Sequence, residues 1–182
     1  MLYALAHFPE LEDEFFQQFR NQYDPYAVLI DAHITLIFPV PDSIQKDSLF
    51  NHIENVINNW HAFDVTISGY YKSFDHWLML SLKEGNEKVI RLHDDFYTGI
   101  LQPFLREDLP FTPHVGLGYF GTKPYDFHHP TTVIPLNAEK YTKALAELSE
   151  EELVFRKTIN SLTFLEINDS FNTFNKIKTF QF

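Results

Sequence analysis

Apolar residues recur along the chain with two periods, and each period predicts a different kind of element. An apolar residue at every second position, or a short apolar run, is typical of a β-strand, whereas spacings of three and four are typical of an α-helix. The predicted strands cover residues 2–8, 33–40, 63–71, 76–82, 111–120, 153–167 and 173–182. The predicted helices cover residues 10–23, 86–101 and 138–152, and a further helix carries Leu49, Ile53, Val56, Ile57 and Trp60.

Polar and proline-containing segments separate these elements. Asp42 and Gln45 have the spacing of a capping box at the start of the second helix. Residues 121–135, which include Pro130, are predicted to form a loop. The order of strands and helices indicates two related halves, with no long linker between them.

Composition is that of a single acidic domain. With 182 residues, of which 45% are hydrophobic, the chain can bury a sizeable core. The formal net charge of −11 disfavours binding to duplex nucleic acid, although one phosphate can still be held in a local pocket. The chain has no cysteine, which excludes disulfides, thiolate metal sites and a cysteine nucleophile.

The N-terminal segment is apolar but lacks the basic residues of a signal peptide, so it is predicted to be a strand. No apolar run approaches the roughly 20 residues that are needed to span a bilayer. From these features we expect a cytoplasmic monomer that does not contact a membrane.

Two of the predicted strands carry the same short pattern, one in each half of the chain. Residues 33–36 read His-Ile-Thr-Leu, and residues 114–117 read His-Val-Gly-Leu. Each pattern has a histidine, then an apolar residue, a small residue and a leucine. A single histidine with a threonine two residues later is common by chance, but two matching patterns at this separation on predicted strands form a more specific signal.

The period of a strand groups the polar residues of each pattern. Residues i and i+2 point to the same face, so His33 lies beside Thr35, and His114 lies beside Gly116 and Gly118. The core behind the first strand is expected to contain Ile34, Leu36 and Phe38. If the two strands are neighbours, one groove is lined by two imidazoles and a hydroxyl. These groups can supply a base, an acid and a hydrogen-bond donor to a phosphoryl oxygen.

The paired patterns resemble the motifs of the 2H phosphoesterases, which include the 2′-5′ RNA ligases and the 2′,3′-cyclic nucleotide phosphodiesterases. Pro113, just before the second histidine, and a C-terminal strand hairpin are also similar. The resemblance implies that residues 1–182 form one bilobal α+β domain. Its two pseudosymmetric lobes would each contain an antiparallel-rich sheet with outer helices, around a central cleft.

The resemblance also implies roles for individual residues. His33 and His114 would be catalytic, without a metal or other cofactor. Thr35, Gly116 and Tyr119 are predicted to lie at the substrate, with Thr35 donating to the phosphate. Gly116 departs from the family pattern, which has threonine or serine there. It either removes a phosphate donor, marks a bulge, or makes room for a bulky ligand.

Several other residues have two interpretations. The aromatic side chains with either a base-stacking or a core-packing role are Phe38, Trp77, Phe111 and Tyr119. Asp126 with His128 and His129 suggests a metal site, but adjacent residues on a strand point apart and His-x-x-x-His spacing is absent from the sequence. We favour a solvated loop there.

The predicted activity is metal-independent opening of a 2′,3′-cyclic phosphate, or cleavage of a 2′-5′ linkage, at a nucleotide or RNA end. One histidine would act as base and the other as acid, and the sequence does not assign these roles. An alternative is a non-catalytic binder of a cyclic nucleotide or RNA terminus. A metal-dependent hydrolase using His128 and His129 is a weaker third interpretation.

Overall fold

The computed structural model describes residues 1–108, 110–129 and 132–182. The strands are β1 (Leu2–His7), β2 (Ile34–Pro41), β3 (Phe63–Lys72), β4 (Trp77–Leu82), β5 (His114–Tyr119), β6 (Val154–Ile159), β7 (Ser161–Ile167) and β8 (Phe174–Gln181). The helices are α1 (Glu14–Tyr23), α2 (Lys46–Ile57), α3 (Asn86–Phe96) and α4 (Ala138–Leu148), with a short 3₁₀ helix at Gly99–Phe104.

The strands form two four-stranded sheets, which confirms the predicted α+β class. Sheet A has the order β2-β1-β7-β8, and sheet B has the order β5-β4-β3-β6. All pairings within the sheets are antiparallel. The edge strands β2 and β5 approach each other, with Cα atoms within 8 Å. The two strands that carry the histidine patterns therefore meet where the sheets adjoin.

Helices cover one face of each sheet, which we call the outer face; the opposite face is the inner face. On sheet A, the Phe50 ring of α2 lies 4.9 Å from that of Phe164, between ring centroids, and α3 lies beside β2. On sheet B, the Phe16 ring of α1 lies 5.6 Å from that of Phe155. Helix α1 directly follows a strand of sheet A yet covers sheet B, and α3 follows a strand of sheet B yet lies against sheet A.

The last strands also exchange sheets, and this corrects the prediction of one strand over residues 153–167. β6 pairs with β3 in sheet B, whereas β7 pairs with β1 in sheet A, and only Asn160 separates them. The burial pattern changes phase across Asn160, as expected where a strand ends and another begins. The buried positions are Phe155 and Ile159 before it and Leu162 and Phe164 after it. The two lobes consequently do not correspond to the two halves of the chain.

Some element ends differ from the predicted ones. Helix α1 begins later than expected because Asp13 caps it by accepting a hydrogen bond of 2.7 Å from the Phe16 amide. The predicted capping box is wrong. The N-cap residue of α2 is Gln45 instead of Asp42, and no side chain makes a capping hydrogen bond there. The loop predicted over residues 121–135 is confirmed where it is described, and Pro130 lies outside the described residues.

The pairing of β2 with β1 is irregular, and this displaces one predicted core residue. Register shifts occur between Tyr3 and Leu5 and between Leu5 and Ala6 of β1, so β2 contains extra residues. As a result Ile37 is buried and the side chain of Phe38 is 37% exposed. The prediction that Phe38 fills the core is wrong because a bulge reverses the alternation of a strand.

Candidate active site

The histidines of the two patterns lie close together at the junction of the sheets. His33 directly precedes β2, and His114 is the first residue of β5. Both imidazoles are half-buried. They are near enough for the charge of His114 to lower the pKa of His33. The structure therefore brings together the two side chains that the sequence pairs.

Each imidazole is held by the same backbone contact. Nδ1 of His33 lies 2.8 Å from the carbonyl oxygen of Asp31, and Nδ1 of His114 lies 2.7 Å from that of Thr112. A carbonyl oxygen only accepts hydrogen bonds, so each Nδ1 carries the proton and donates it. In the neutral ring Nε2 is then left with its lone pair, and in the charged ring Nε2 also becomes a donor. Both histidines thus offer Nε2 for proton transfer.

The electrostatic surroundings of the two rings differ. Burial lowers the pKa of His33 to about 4, and the positive charge of Arg20 also lowers it, by more than the Asp31 carboxylate raises it. Burial lowers the pKa of His114 too, but there the carboxylate of Asp75 acts in the opposite direction. A positive neighbour disfavours a proton on His33, whereas a negative neighbour favours one on His114.

The residues two positions after each histidine lie on the inner faces of the sheets. Thr35 is half-buried and pairs with Ala6 of β1. A Cβ atom built on Gly116 would have its nearest neighbour, Cζ3 of Trp77, at 3.9 Å, which is ordinary van der Waals contact. The structure therefore has room for a side chain at position 116.

Gly118 was expected to share the face of His114, and that expectation is wrong. A Cβ atom at Gly118 would lie 2.6 Å from Cβ of Tyr23, so this position faces α1 on the outer side. The cause is a bulge in β5, because Leu78 pairs with Gly118 but the next residue of β4, Met79, pairs with Gly116. The interpretation of the two glycines as bulge markers is confirmed for β5.

Tyr119, predicted to contact the substrate, lies in a group of aromatic rings. We call this group the aromatic cluster, and its members are Tyr26, Trp77, Tyr119, Tyr125, Phe127 and Phe171. Tyr119 is only 4% exposed, and its ring centroid is 5.2 Å from that of Trp77. Its contact with substrate stays a prediction.

The residues considered for a metal site contact different partners. His129 is bonded to Asp126, with 3.0 Å between Nδ1 and Oδ2, whereas Nε2 of His128 lies 2.7 Å from the carbonyl oxygen of Asp169. Within residues 1–108, 110–129 and 132–182, no group of three or more His, Cys, Asp or Glu side chains is arranged to hold a metal ion.

Arg20 is a basic residue near the site that the sequence patterns did not reveal. Its guanidinium is buried and donates to the Asp24 carboxylate at 2.9 Å and to the Ile30 carbonyl at 2.8 Å. It comes from α1, thirteen positions before His33, so no short motif contains it. The only hint in the sequence is an arginine and an aspartate at i and i+4 at the end of a helix, a spacing that many exposed pairs share.

The chain matches a known family over most of its length. The family model for the 2′-5′ RNA ligase superfamily matches residues 8–170. The chain belongs to this superfamily. A candidate phosphoesterase of Geobacillus kaustophilus is 21% identical over 168 residues, covering 91% of this chain and 87% of that protein. Another, from Geobacillus sp. strain WCH70, is 26% identical over 121 residues, or 65% of this chain and 69% of that protein.

Solved structures of low sequence identity share the fold. TT0787 of Thermus thermophilus has a TM-score of 0.62 at 15% identity, covering 100% of this chain and 97% of that one. LigT of E. coli complexed with 3′-AMP has a TM-score of 0.61 at 13% identity, covering 99% and 97%. In the part of this chain that the structure describes, no helix is both long and apolar enough to cross a bilayer.

Proposed function

We propose that the protein is a phosphodiesterase that acts at a nucleotide or RNA end, on a 2′,3′-cyclic phosphate or a 2′-5′ linkage. The observation that carries this proposal is the matched pair His33 and His114. Each has Nδ1 hydrogen-bonded to a carbonyl, and neither Nε2 has a hydrogen-bond partner among the described residues. In-line displacement at phosphorus needs a base on one side and an acid on the other. Thr35, on the inner face two residues after His33, supplies a hydroxyl for a phosphoryl oxygen.

The unequal surroundings of the two rings favour one assignment of roles. Arg20 disfavours a proton on His33, so Nε2 of His33 takes the proton of the attacking water. Asp75 favours a proton on His114, so Nε2 of His114 gives its proton to the departing ribose oxygen. The bond from the water oxygen to phosphorus forms as the bond from phosphorus to the ribose oxygen breaks. In the reverse of this step the ribose hydroxyl attacks phosphorus and water leaves, so the two roles exchange.

The test is turnover of nucleoside 2′,3′-cyclic phosphates and of a 2′-5′-linked dinucleotide, with and without EDTA. We expect turnover that survives EDTA and that falls by about 10²- to 10⁴-fold in His33→Ala and in His114→Ala, as for a positioned acid or base. His128→Ala is a matched control, since that ring is bonded to Asp169 instead, and it should retain full activity. Unchanged turnover in His33→Ala would contradict the proposal.

A second candidate function is binding without turnover, and Gly116 favours it. The superfamily pattern has a hydroxyl residue there, so one donor to the phosphate is missing. Under this alternative, a cyclic nucleotide would bind in competition with phosphate and be recovered unaltered. Conversion of the nucleotide by the purified protein, lost in His114→Ala, would exclude it.

A further inference from the structure

The inner face of sheet B carries a polar strip that begins at the second histidine. Along β4 the three leucines are buried on the outer side, whereas Ser81 faces the other way and is half-buried. Ser81 pairs with His114 of β5. On β3 the residues of the same face, Thr66 and Ser68, are half-buried too. The strip therefore runs from His114 across two strands, away from the junction of the sheets.

Lys83, the residue after β4, brings a positive charge onto this strip. Leu82 is buried on the outer side, so the next residue faces the inner side by the alternation of a strand. The Lys83 amide donates to the Thr66 carbonyl at 2.7 Å, which keeps the chain beside β3. The side chain then extends to Gly69, where a Cβ atom would lie 3.2 Å from Cε of Lys83 and 3.5 Å from Nζ. The ammonium group therefore lies over β3, two strands away from His114.

Gly69 provides the space for this lysine. The register of β3 against β4 shifts between Ile67 and Tyr70, so β3 contains a bulge at this point. Gly69 has a φ of +67°, in the left-handed region that favours glycine. The bulge and the missing side chain leave room on the inner face, and the aliphatic part of Lys83 occupies that room.

The charge of Lys83 is not neutralised by a carboxylate. The ion pairs among the described residues engage other cations, although the chain has a formal net charge of −11. Glu84, its neighbour in the chain, accepts a hydrogen bond of 2.6 Å from the Thr66 hydroxyl instead. On sheet A, by contrast, Lys176 is paired with Asp31 at 2.7 Å. An exposed ammonium group without a carboxylate partner is available to an anionic ligand.

We propose that Lys83 binds the 5′-phosphate of the nucleotide that carries the reacting phosphate. The inference rests on the proposed function, in which His114 protonates the departing ribose oxygen, so that the ribose lies on the sheet B side of phosphorus. From β5 to β3 is two strand spacings, roughly 10 Å, which is the scale of one nucleotide between its two phosphates. The 5′-phosphate is either a free terminal group or the link to the rest of an RNA chain, and both offer anionic oxygens.

The experiment compares kcat/KM for three substrates. They are adenosine 2′,3′-cyclic phosphate, its 5′-phosphorylated form, and a diadenosine nucleotide with the same cyclic end. We expect Lys83→Met to lower kcat/KM by about 5- to 10-fold for the two substrates that have a 5′-phosphate, and to leave the first unchanged. Lys88→Met is the matched control, because that lysine lies over the Phe63 ring on the outer face, and it should change none of the three.

Salt dependence separates a phosphate contact from a structural role of the lysine. Each phosphate that a protein neutralises on a single strand adds about 0.7 to the slope of log affinity against log salt concentration. For a single-stranded oligoadenylate with a terminal phosphate, Lys83→Met should therefore lower that slope by about 0.7. Lys83→Arg keeps the charge and should keep the slope. A slope that is the same in the parent and in Lys83→Met would overturn the assignment.

The outcomes distinguish this inference from the function on which it rests. If the parent protein converts none of the three substrates, the proposed function fails and the role of Lys83 fails with it. If it converts them but the 5′-phosphate adds nothing to kcat/KM, or if Lys83→Met lowers all three equally, only the assignment of Lys83 is overturned. A Lys83-dependent gain supports it, and its size with the free or the linked 5′-phosphate identifies a small nucleotide or an RNA end as the source.

Discussion

Each histidine of the site is oriented by one backbone carbonyl two residues earlier in the chain. Since Asp31 and Thr112 supply carbonyl oxygens, neither contact is lost when the ring gains a proton on Nε2. His33 and His114 can therefore change from acceptor to donor without turning. At this scale the differences between them come from neighbouring charges, and those differences set the expected pH dependence.

We predict a bell-shaped kcat/KM profile with its maximum on the acidic side. His33 acts as the base, so activity is lost as pH falls through its pKa, lowered by burial to about 4. His114 acts as the acid, so activity is lost as pH rises through its pKa, which burial holds below the ordinary 6.5. The measurement is kcat/KM for a nucleoside 2′,3′-cyclic phosphate across the acidic and neutral range. A maximum on the alkaline side of neutrality would be inconsistent with these assignments.

Gly116→Thr should strengthen phosphate binding. The position is open, and a hydroxyl there would mirror Thr35, so a charged hydrogen bond worth roughly 1.5–3 kcal/mol becomes available. We expect inorganic phosphate to bind about 10- to 100-fold more tightly, as measured by calorimetry. Gly116→Val has nearly the same shape without the hydroxyl and should not gain. Equal affinities in the two variants would mean that position 116 does not reach the phosphate.

At the scale of elements, helix α1 fixes the segment that leads into β2. Arg20, near its end, bonds both Asp24 and the Ile30 carbonyl, and residues 24–32 then cover the inner face of sheet A. Asp24 is itself buried, and burial raises the pKa of its carboxyl. Replacing only one residue of the Arg20–Asp24 pair is therefore destabilising, because the other charge would remain in the protein interior without a partner.

Arg20→Met should lower the free energy of unfolding by about 3–5 kcal/mol, as for other buried pairs that lose one partner. It should also raise the pKa of His33 and move the acidic limb of the pH profile upward. Urea unfolding measures the first effect. The double variant Arg20→Met/Asp24→Asn removes the stranded charge and should recover much of the loss. A single variant as stable as the parent would show that the pair does not hold this segment.

Sequence periodicity predicts most elements here because buried and exposed positions alternate cleanly along them. β4 is an example, and its row of leucines faces the core as period two requires. Periodicity fails at the bulges of β2 and β5, since an extra residue depends on pairing with another strand and leaves no local signal. The turn at Asn160 does leave a local signal in the sequence, because the alternation of buried positions changes phase between Ile159 and Leu162.

The candidate site was predictable to a similar extent. The two histidines repeat a pattern on two strands, so they can be found by reading the sequence. Arg20 and Asp75 reach the site from other elements, and only the fold brings their charges near His33 and His114. The difference in electrostatic surroundings between the two imidazoles could therefore not be predicted from the sequence alone.

At the scale of the whole molecule, histidines should make the fold sensitive to mild acid. Burial lowers the pKa of His7, His33, His93 and His114 from the ordinary 6.5. The unfolded chain then binds more protons than the folded one as pH falls below that value. The contribution of each histidine to the free energy of unfolding is fully present above the ordinary histidine pKa. It is lost on acidification by up to ~1.4 kcal/mol per pH unit. Urea unfolding at a series of pH values from neutral to mildly acidic measures the slope.

Two variants identify the source of that slope. His93 donates from Nδ1 to the Leu36 carbonyl at 2.8 Å, and His93→Gln keeps a donor there without a titrating ring. We expect it to be less stable at neutral pH but to lose stability more slowly on acidification. His61 is exposed, and His61→Gln should leave the slope unchanged. A free energy of unfolding that does not vary over this pH range would refute the predicted coupling between histidine protonation and unfolding.

The exchange of strands between the sheets also bears on how the protein is made. Sheet A needs β7 between β1 and β8, so β1 and β2 have no complete sheet until β8 has left the ribosome. Sheet B, in contrast, can be completed once β6 has emerged. A nascent chain can therefore present His114 on a finished sheet while β1 and β2, which precede and follow His33 in the chain, still lack the other two strands of sheet A. Under the proposed function, the paired histidines are the last part of the molecule to be assembled, because His33 directly precedes β2 of the sheet that is completed last.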